Sequence, residues 1–221
     1  LDEWHSNNIL DKFGNIKWND AIVELHKPEN IGNYKKNFYQ RLAFDEIFST
    51  FLVNSEIRKK IKKIKKKSKP VDKIKQNKIL KKLEFTLTND QLKTLEEINN
   101  DLSSTNKMFR LLQGDVGSGK TIVSLLTAYN TINSGFQVAF MAPTEILARQ
   151  HFNFAKKLFS NQINIELISG KSEYKTKKEI LKKLADNKID IIFGTHAIFQ
   201  KKVFFKNLGL IIIDEQHKFG V

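Results

Sequence analysis

Residues 114–121 decide the fold of this chain, and they are Gly114-Asp115-Val116-Gly117-Ser118-Gly119-Lys120-Thr121. Glycines at this spacing let a loop turn tightly and bring successive backbone N–H groups against phosphate oxygens, where a Cβ would obstruct. The lysine then supplies a positive charge to the β- and γ-phosphates, and the threonine hydroxyl is a Mg²⁺ ligand. We therefore predict that these eight residues bind ATP, that Lys120 is catalytic, and that Thr121 contributes to a Mg²⁺ site.

The sequence on either side of this phosphate loop has the order that such a loop requires. Residues 108–113 form a short apolar run that predicts a strand, and residues 122–132 carry apolar side chains at helical spacing. A helix that begins at the loop adds a favourable dipole for phosphate. This context disfavours the alternative, a glycine-rich turn that binds nothing.

Beyond residue 84, apolar runs alternate with amphipathic segments. We expect strands at 108–113, 137–142, 163–168, 189–193 and 209–213. We expect helices near 90–102, 120–134, 145–159 and 174–186. This alternation predicts an α/β fold of the P-loop NTPase class, with a parallel sheet and helices on both of its faces.

Residues 1–83 have a different character, with neither a glycine loop nor strand-like apolar runs, and one long helix is predicted over 37–66. We interpret them as an α-helical linker region. Its lysine-rich tract, residues 56–82, holds fourteen Lys or Arg and two acids, a net +12 of the chain's +14. The tract is either an arm for nucleic-acid phosphates, with salt-sensitive binding, or a solvated helix and linker. The sequence favours neither interpretation.

Composition excludes several other classes of protein. The chain has no cysteine, so it can form neither a disulfide nor a thiolate zinc site. No run of 18 apolar residues is present, and the first residue is leucine rather than methionine. We expect a cytoplasmic protein with no membrane partner. We also expect that this sequence begins partway along a longer chain.

A second cluster of candidate site residues follows the last predicted strand. Leu210–Ile213 is an apolar run that places Asp214 and Glu215 at its carboxyl end. A carboxylate opposite a phosphate loop is suited to hold Mg²⁺, and a second one is suited to orient or deprotonate the attacking water. We predict that Asp214 holds Mg²⁺ and that Glu215 orients or deprotonates the attacking water. Both residues are predicted to be catalytic. The alternative is a strand followed by an acidic turn.

Several stretches outside the loop carry a family resemblance. They are Phe85–Gln91, Arg110–Thr121, Met141–Ala148, Gly194–Ala197 and Ile213–Val221. Together they resemble the superfamily 2 helicases, and among them the bacterial RecG family of ATP-dependent DNA helicases. The resemblance is strong over 85–221 and looser over 1–83, where Arg41–Glu46 is similar to the segment that precedes the motor. It implies that residues 84–221 are the N-terminal part of a RecA-like motor lobe, an incomplete lobe truncated after Asp-Glu-Gln-His.

The resemblance also implies roles for individual residues. Gln91 would recognise adenine with Phe85 or Leu87 packed nearby, although it could instead cap the following helix. Two loops that follow strands would contact DNA backbone, and they comprise Pro143, Thr144, Glu145, Gly194, Thr195 and His196. His196 could equally be an ordinary loop histidine. Gln216 and His217 would couple the ATP site to DNA.

For the whole protein, the resemblance implies ATP-driven remodelling of branched DNA such as stalled forks and Holliday junctions. A second motor lobe would supply an arginine to the transition state, and a wedge domain would split the junction. We expect residues 1–221 alone to hydrolyse hardly any ATP and not to form a stable independent domain. The alternatives are a double-stranded DNA translocase of the transcription-repair coupling type, and a non-enzymatic fragment that binds nucleic acid through residues 56–82.

Overall fold

The computed structural model describes residues 2–27, 35–170, 174–200 and 202–219, so Gly220 and Val221 lie outside the described residues. The chain divides into two compact units, residues 1–63 and residues 64–221, here called the helical unit and the sheet unit. Among the described residues, no helix is both long and apolar enough to cross a membrane.

The described residues of the helical unit form the α-helices α1 (Asn7–Leu10), α2 (Trp18–His26) and α3 (Lys35–Lys63). A buried ion-pair network joins the N-terminal segment to α3. Arg41 has no exposed side-chain surface; it donates to both carboxylate oxygens of Glu3, at 2.9 and 3.0 Å, and to Asp45. His5 lies 2.6 Å from the other Asp45 oxygen. The segment that resembles the pre-motor region therefore fixes the packing of this unit.

In the part of the chain that the structure describes, the sheet unit is built on four parallel strands, β1 (Gln137–Met141), β2 (Ile165–Ile168), β3 (Ile191–Gly194) and β4 (Leu208–Ile213). Their spatial order is β2-β3-β1-β4, so β1 pairs with both β3 and β4. Its helices are α4 (Lys73–Leu80), α5 (Asn89–Ser103), α6 (Lys120–Asn133), α7 (Glu145–Phe159) and α8 (Tyr174–Ala185).

Each face of the sheet has its own hydrophobic core, because alternate residues of a strand point to opposite faces. Phe140 of β1 joins the core formed with α4 to α7, where Leu125 and Phe159 are fully buried. Ala139, its neighbour in β1, joins the core under α8. Helices therefore cover both faces, which confirms the predicted architecture. The predicted helices 90–102, 120–134, 145–159 and 174–186 and four of the predicted strands lie within about two residues of these elements.

The predicted strand at 108–113 is absent. This segment has no regular secondary structure and no strand partner among the described residues, and the side chains of Phe109 and Leu111 are each 76% exposed. Met108 and Leu112 alternate with them and pack against the cores. The segment thus shows the alternation of a strand but pairs with no strand that the structure describes. In the described part of the sheet, the edge strand β4 forms hydrogen bonds only with β1.

The boundary that we placed at residues 83 and 84 also differs from the division into units, which falls at 63 and 64. Residues 64–83 pack with the sheet unit because Ile79 is fully buried in its larger core. Two lysines of the lysine-rich tract are structural. Lys66 Nζ donates to the carbonyls of Leu102 and Ser104, both at 2.7 Å, and the buried Lys69 lies over the Phe136 ring. Burial lowers the pKa of both lysines.

The Arg41 network gives a test of the helical unit. Removing a buried cation leaves the carboxylates of Glu3 and Asp45 without their partner, which costs about 3–5 kcal/mol. We expect Arg41→Met to accelerate amide hydrogen exchange in α3, with α5 to α8 unaffected, when the full protein is followed by mass spectrometry. Gln40→Met, at the exposed neighbouring position, is the matched control. Equal exchange in the two variants would contradict the role of the network.

Candidate nucleotide site

The phosphate loop runs from the unpaired segment 108–113 into the first turn of α6. Gly117 and Gly119 have φ angles of +82° and +83°, in the left-handed region that favours glycine. Gly119 is also the N-terminal cap residue of α6, so the free N–H groups at the start of that helix lie at the end of the loop. Thr121 is partly buried in that first turn. The local geometry therefore has the features of an anion site.

The Lys120 side chain folds back over the loop. Its ammonium group donates to the carbonyl oxygen of Gly114 at 2.6 Å and to that of Asp115 at 2.8 Å. Val116, at the tip of the loop, is fully exposed. A phosphate that binds here would compete with these two carbonyls for the lysine.

Gln91 both contacts the phosphate loop and caps helix α5. Its Oε1 accepts from the backbone N–H of Thr88 at 2.9 Å, and its own N–H donates to Thr88 Oγ1 at 3.3 Å, a reciprocal capping box. Its Nε2 donates to the carbonyl of Ser118 at 2.8 Å. The capping alternative is thus present in the structure, together with a direct contact to the loop. Nearby in sequence, Phe85 is exposed and Leu87 packs against the larger core.

Asp214 stands at the carboxyl end of β4. Its backbone N–H donates to the carbonyl of Met141 at 2.9 Å, which continues the pairing of β4 with β1. Its Oδ2 accepts a 2.8 Å hydrogen bond from His151 Nε2 on α7. That bond is the largest cause lowering the pKa of Asp214; burial acts in the opposite direction, and the charge of Lys120 lowers the pKa further. The charge of Lys120 in the phosphate loop therefore reaches Asp214, whose lowered pKa keeps the carboxylate ionised.

Glu215 adopts a left-handed backbone with φ of +49°, which is unfavourable for a residue with a Cβ. Its carboxylate lies 3.4 Å from His217 Nε2, and the His217 side chain is exposed. Gln216 is exposed as well, in the same single 3₁₀ turn, Gln216–Phe219. Backbone strain of this size, about 1–3 kcal/mol, is common at functional sites.

The two triplets predicted to contact DNA lie at one edge of the sheet. Met141 and Gly194 are register partners at the ends of β1 and β3, so Pro143–Glu145 and Gly194–His196 follow neighbouring strand ends. Both triplets also serve the fold. Thr144 Oγ1 caps α7 by accepting from the N–H of Leu147, and a Cβ at Gly194 would lie 2.6 Å from a backbone carbonyl oxygen.

Other side chains in these triplets already have partners. Glu145 Oε1 accepts from the backbone N–H of Gly170 at 2.7 Å. The His196 ring meets that of Phe219 edge-on, with centroids 4.9 Å apart. Phosphate binding at this edge would therefore fall mainly to backbone N–H groups and to Thr195.

His151 is the site residue that sequence reasoning missed. It lies on the buried side of α7, in line with Ala148 and Ala155. A single polar residue within an apolar helical stripe is a weak signal, since such a histidine is usually a hydrogen-bonded core residue. Only the fold brings it to Asp214, 63 positions away in sequence.

No group of three or more His, Cys, Asp or Glu that could hold a metal ion is found among the described residues. A Mg²⁺ site here would therefore combine one or two protein ligands with nucleotide oxygens, which is the usual arrangement for Mg²⁺. The ionised carboxylate of Asp214 and the hydroxyl of Thr121 are oxygen donors of the type that Mg²⁺ prefers, so the residues fit the ion.

Comparison with known proteins gives a consistent result. A family model of DEAD/DEAH box helicases matches residues 88–221. The ATP-dependent DNA helicase RecG of Aquifex aeolicus (strain VF5) is 41% identical over 225 residues, which cover 99% of this chain and 28% of the relative. RecG of Bacillus subtilis (strain 168) is 50% identical over 143 residues, 64% of this chain and 21% of the relative. These matches confirm the resemblance that the motifs indicated.

Solved structures agree with this result. A structure of RecG bound to a three-way DNA junction aligns with a TM-score of 0.80 and 40% identity, over 100% of this chain and 30% of that chain. The RecA-like motor fold expected from the resemblance is therefore confirmed. The chain spans less than a third of the length of each of these relatives.

Gly119 provides a test of the loop geometry. A Cβ built at Gly119 would lie 2.3 Å from Gln91 Nε2, whereas one at Gly135 would have no atom within 4 Å, and the φ angles are alike at +83° and +82°. Both alanine variants should lose about 1–2 kcal/mol of stability from the left-handed backbone. Only Gly119→Ala should displace Gln91 and weaken binding of a fluorescent ATP analogue, by about tenfold (~1.4 kcal/mol) or more. Equal affinity in the two variants would refute the predicted coupling between Gln91 and the loop.

Proposed function

Because the chain belongs to the DEAD/DEAH box helicase family, we propose that it is the ATP-binding part of a RecG-type DNA helicase that remodels branched DNA. The observation that carries this proposal is the position of Asp214 at the carboxyl end of β4 in a parallel sheet, where the charge of Lys120 in the phosphate loop acts on its carboxylate. Ligands of open α/β sheets bind at this edge.

ATP binding falls to the loop and to the start of α6. The backbone N–H groups of the loop and the freed Lys120 ammonium would hold the phosphates. Gln91, with Phe85 or Leu87 beside it, would recognise the adenine, and its bond to the Ser118 carbonyl would link base recognition to the phosphate loop. Thr121 and Asp214 would hold Mg²⁺, which when bound neutralises charge on the phosphates.

Glu215 is suited to orient or deprotonate the attacking water. It follows Asp214 directly in the chain. Its left-handed backbone turns its side chain away from the direction that a further strand residue would have. His217 contacts the Glu215 carboxylate, so a change at the exposed Gln216–His217 turn would reach the hydrolytic residue directly. This contact supports the proposed coupling role of Gln216 and His217.

DNA is the proposed partner of the edge formed by Pro143–Glu145 and Gly194–His196. Donors at this edge suit phosphate oxygens and carry no base information, in keeping with a motor that acts on DNA structure rather than sequence. The relatives reported above are RecG proteins, one of them bound to a three-way DNA junction, and this favours branched DNA over the substrate of a transcription-coupled translocase. We place the protein in the cytoplasm, working with a second motor lobe and a wedge domain of the same full-length chain.

The proposal is tested by ATPase assays on the full-length protein. We expect hydrolysis to be stimulated more by forked DNA than by linear duplex, and Lys120→Ala to lower kcat by at least about 10²-fold by removing a charge that stabilises the transition state. Lys93→Ala, which removes an exposed lysine of α5, should retain full activity.

Two outcomes would contradict the proposal in different ways. Equal stimulation by the two DNAs would argue against branched-DNA specificity. Unchanged ATPase in Lys120→Ala would argue against the site itself. DNA binding that survives Lys120→Ala but weakens steeply with salt, in a protein with no ATPase, would favour the non-enzymatic alternative through residues 56–82.

A further inference from the structure

His151 is held in one orientation by its surroundings. Its side chain is largely buried, and its ring packs on Phe140 with centroids 4.9 Å apart. Phe140 in turn stacks on Phe193 at 5.1 Å, so three rings from α7, β1 and β3 are layered together. A ring fixed in this way aims its Nε2 without losing further side-chain entropy.

The bond from His151 to Asp214 has a defined direction. An ionised carboxylate can only accept hydrogen bonds, so at the 2.8 Å contact the Nε2–H of His151 donates to Asp214 Oδ2. The backbone N–H of Glu215 also interacts with the same carboxylate. The carboxylate is therefore oriented by the contact from α7, and the neighbouring backbone of Glu215 stabilises its ionised form.

We propose that His151 is a positioning residue for Asp214, which fixes the carboxylate in the orientation that a Mg²⁺–ATP complex requires. The inference rests on the proposed function. Partners that hydrogen-bond to metal-ligating carboxylates orient them, and their loss typically costs 10- to 100-fold in metal affinity or activity.

A purely structural histidine would behave differently. If His151 only satisfied its own buried nitrogen, replacing it would lower stability and leave metal dependence unchanged. A positioning histidine instead affects the metal more than the nucleotide, and a side chain that donates from a similar distance should restore the effect. Glutamine places an amide N–H at about the reach of the imidazole Nε2, whereas alanine offers no donor.

The test uses the full-length protein with a non-hydrolysable ATP analogue and Mn²⁺ as the metal probe, its binding followed by electron paramagnetic resonance. His151→Ala should weaken Mn²⁺ binding to the nucleotide complex about 10- to 100-fold and raise the half-saturating Mg²⁺ concentration of the ATPase by a similar factor. Nucleotide affinity in EDTA should stay within about twofold of wild type, since phosphate binding by the loop does not use His151. His151→Gln should recover most of the metal affinity. Asn153→Ala, at an exposed position of α7, is the matched control and should resemble wild type in every measurement.

The outcomes separate this inference from the proposed function. Wild-type protein that binds no Mn²⁺ with the nucleotide analogue would overturn both. Wild-type binding with an unchanged His151→Ala variant would overturn the positioning role alone, as would a His151→Gln variant as weak as His151→Ala. A comparable loss of metal-free nucleotide affinity in His151→Ala would also overturn it, because the damage would then extend to the whole site.

Discussion

Pairing of β1 with a strand on each side is the constraint on which the rest of the sheet unit depends. Every residue of β1 is buried, and its two neighbours, β3 and β4, deliver the predicted DNA-contacting triplet 194–196 and the acidic pair. At its start, the buried Gln137 donates to the carbonyls of Leu184 and Ile189 and accepts from the N–H of Asn207. At its end, Met141 accepts from Asp214. A slip of one residue in β1 would reverse its two faces and misplace both ends of the site.

The parts of the fold that depend on local pattern were predictable from sequence. Helices α5 to α8 and the buried strands have strong periodicity or continuous apolar runs, and they lie where the sequence placed them. The segment 108–113 has a strand's pattern, but a strand also requires a partner that no local pattern can specify. Composition gave no sign that residues 64–83 pack with the sheet unit, because lysines dominate a stretch whose packing depends on Ile79 and on the amines of Lys66 and Lys69.

The candidate site also combines features that follow from local sequence with features that depend on contacts between distant segments. The loop and the acidic pair could be proposed from sequence because each is a contiguous motif with a chemical reason for its spacing. The contact of His151 with Asp214 and the bond from Gln91 to Ser118 were not predicted, since each joins segments that are distant in sequence. What the sequence could not supply is the set of side chains that hold the functional ones in place.

Charge balance explains why those supporting contacts matter. Before a nucleotide arrives, the ammonium of Lys120 is held by two loop carbonyls and also lowers the pKa of Asp214. A triphosphate would draw Lys120 toward itself and bring further negative charge close to the acidic pair, so the carboxylate of Asp214 would depend more on its other partners to remain ionised and correctly aimed. The bond from His151 comes from a helix in the core of the sheet unit, and it uses none of the groups that hold Lys120. If the cation of the site changes partners when nucleotide binds, the anion needs a partner elsewhere, and His151 on α7 is the residue that we propose for this role.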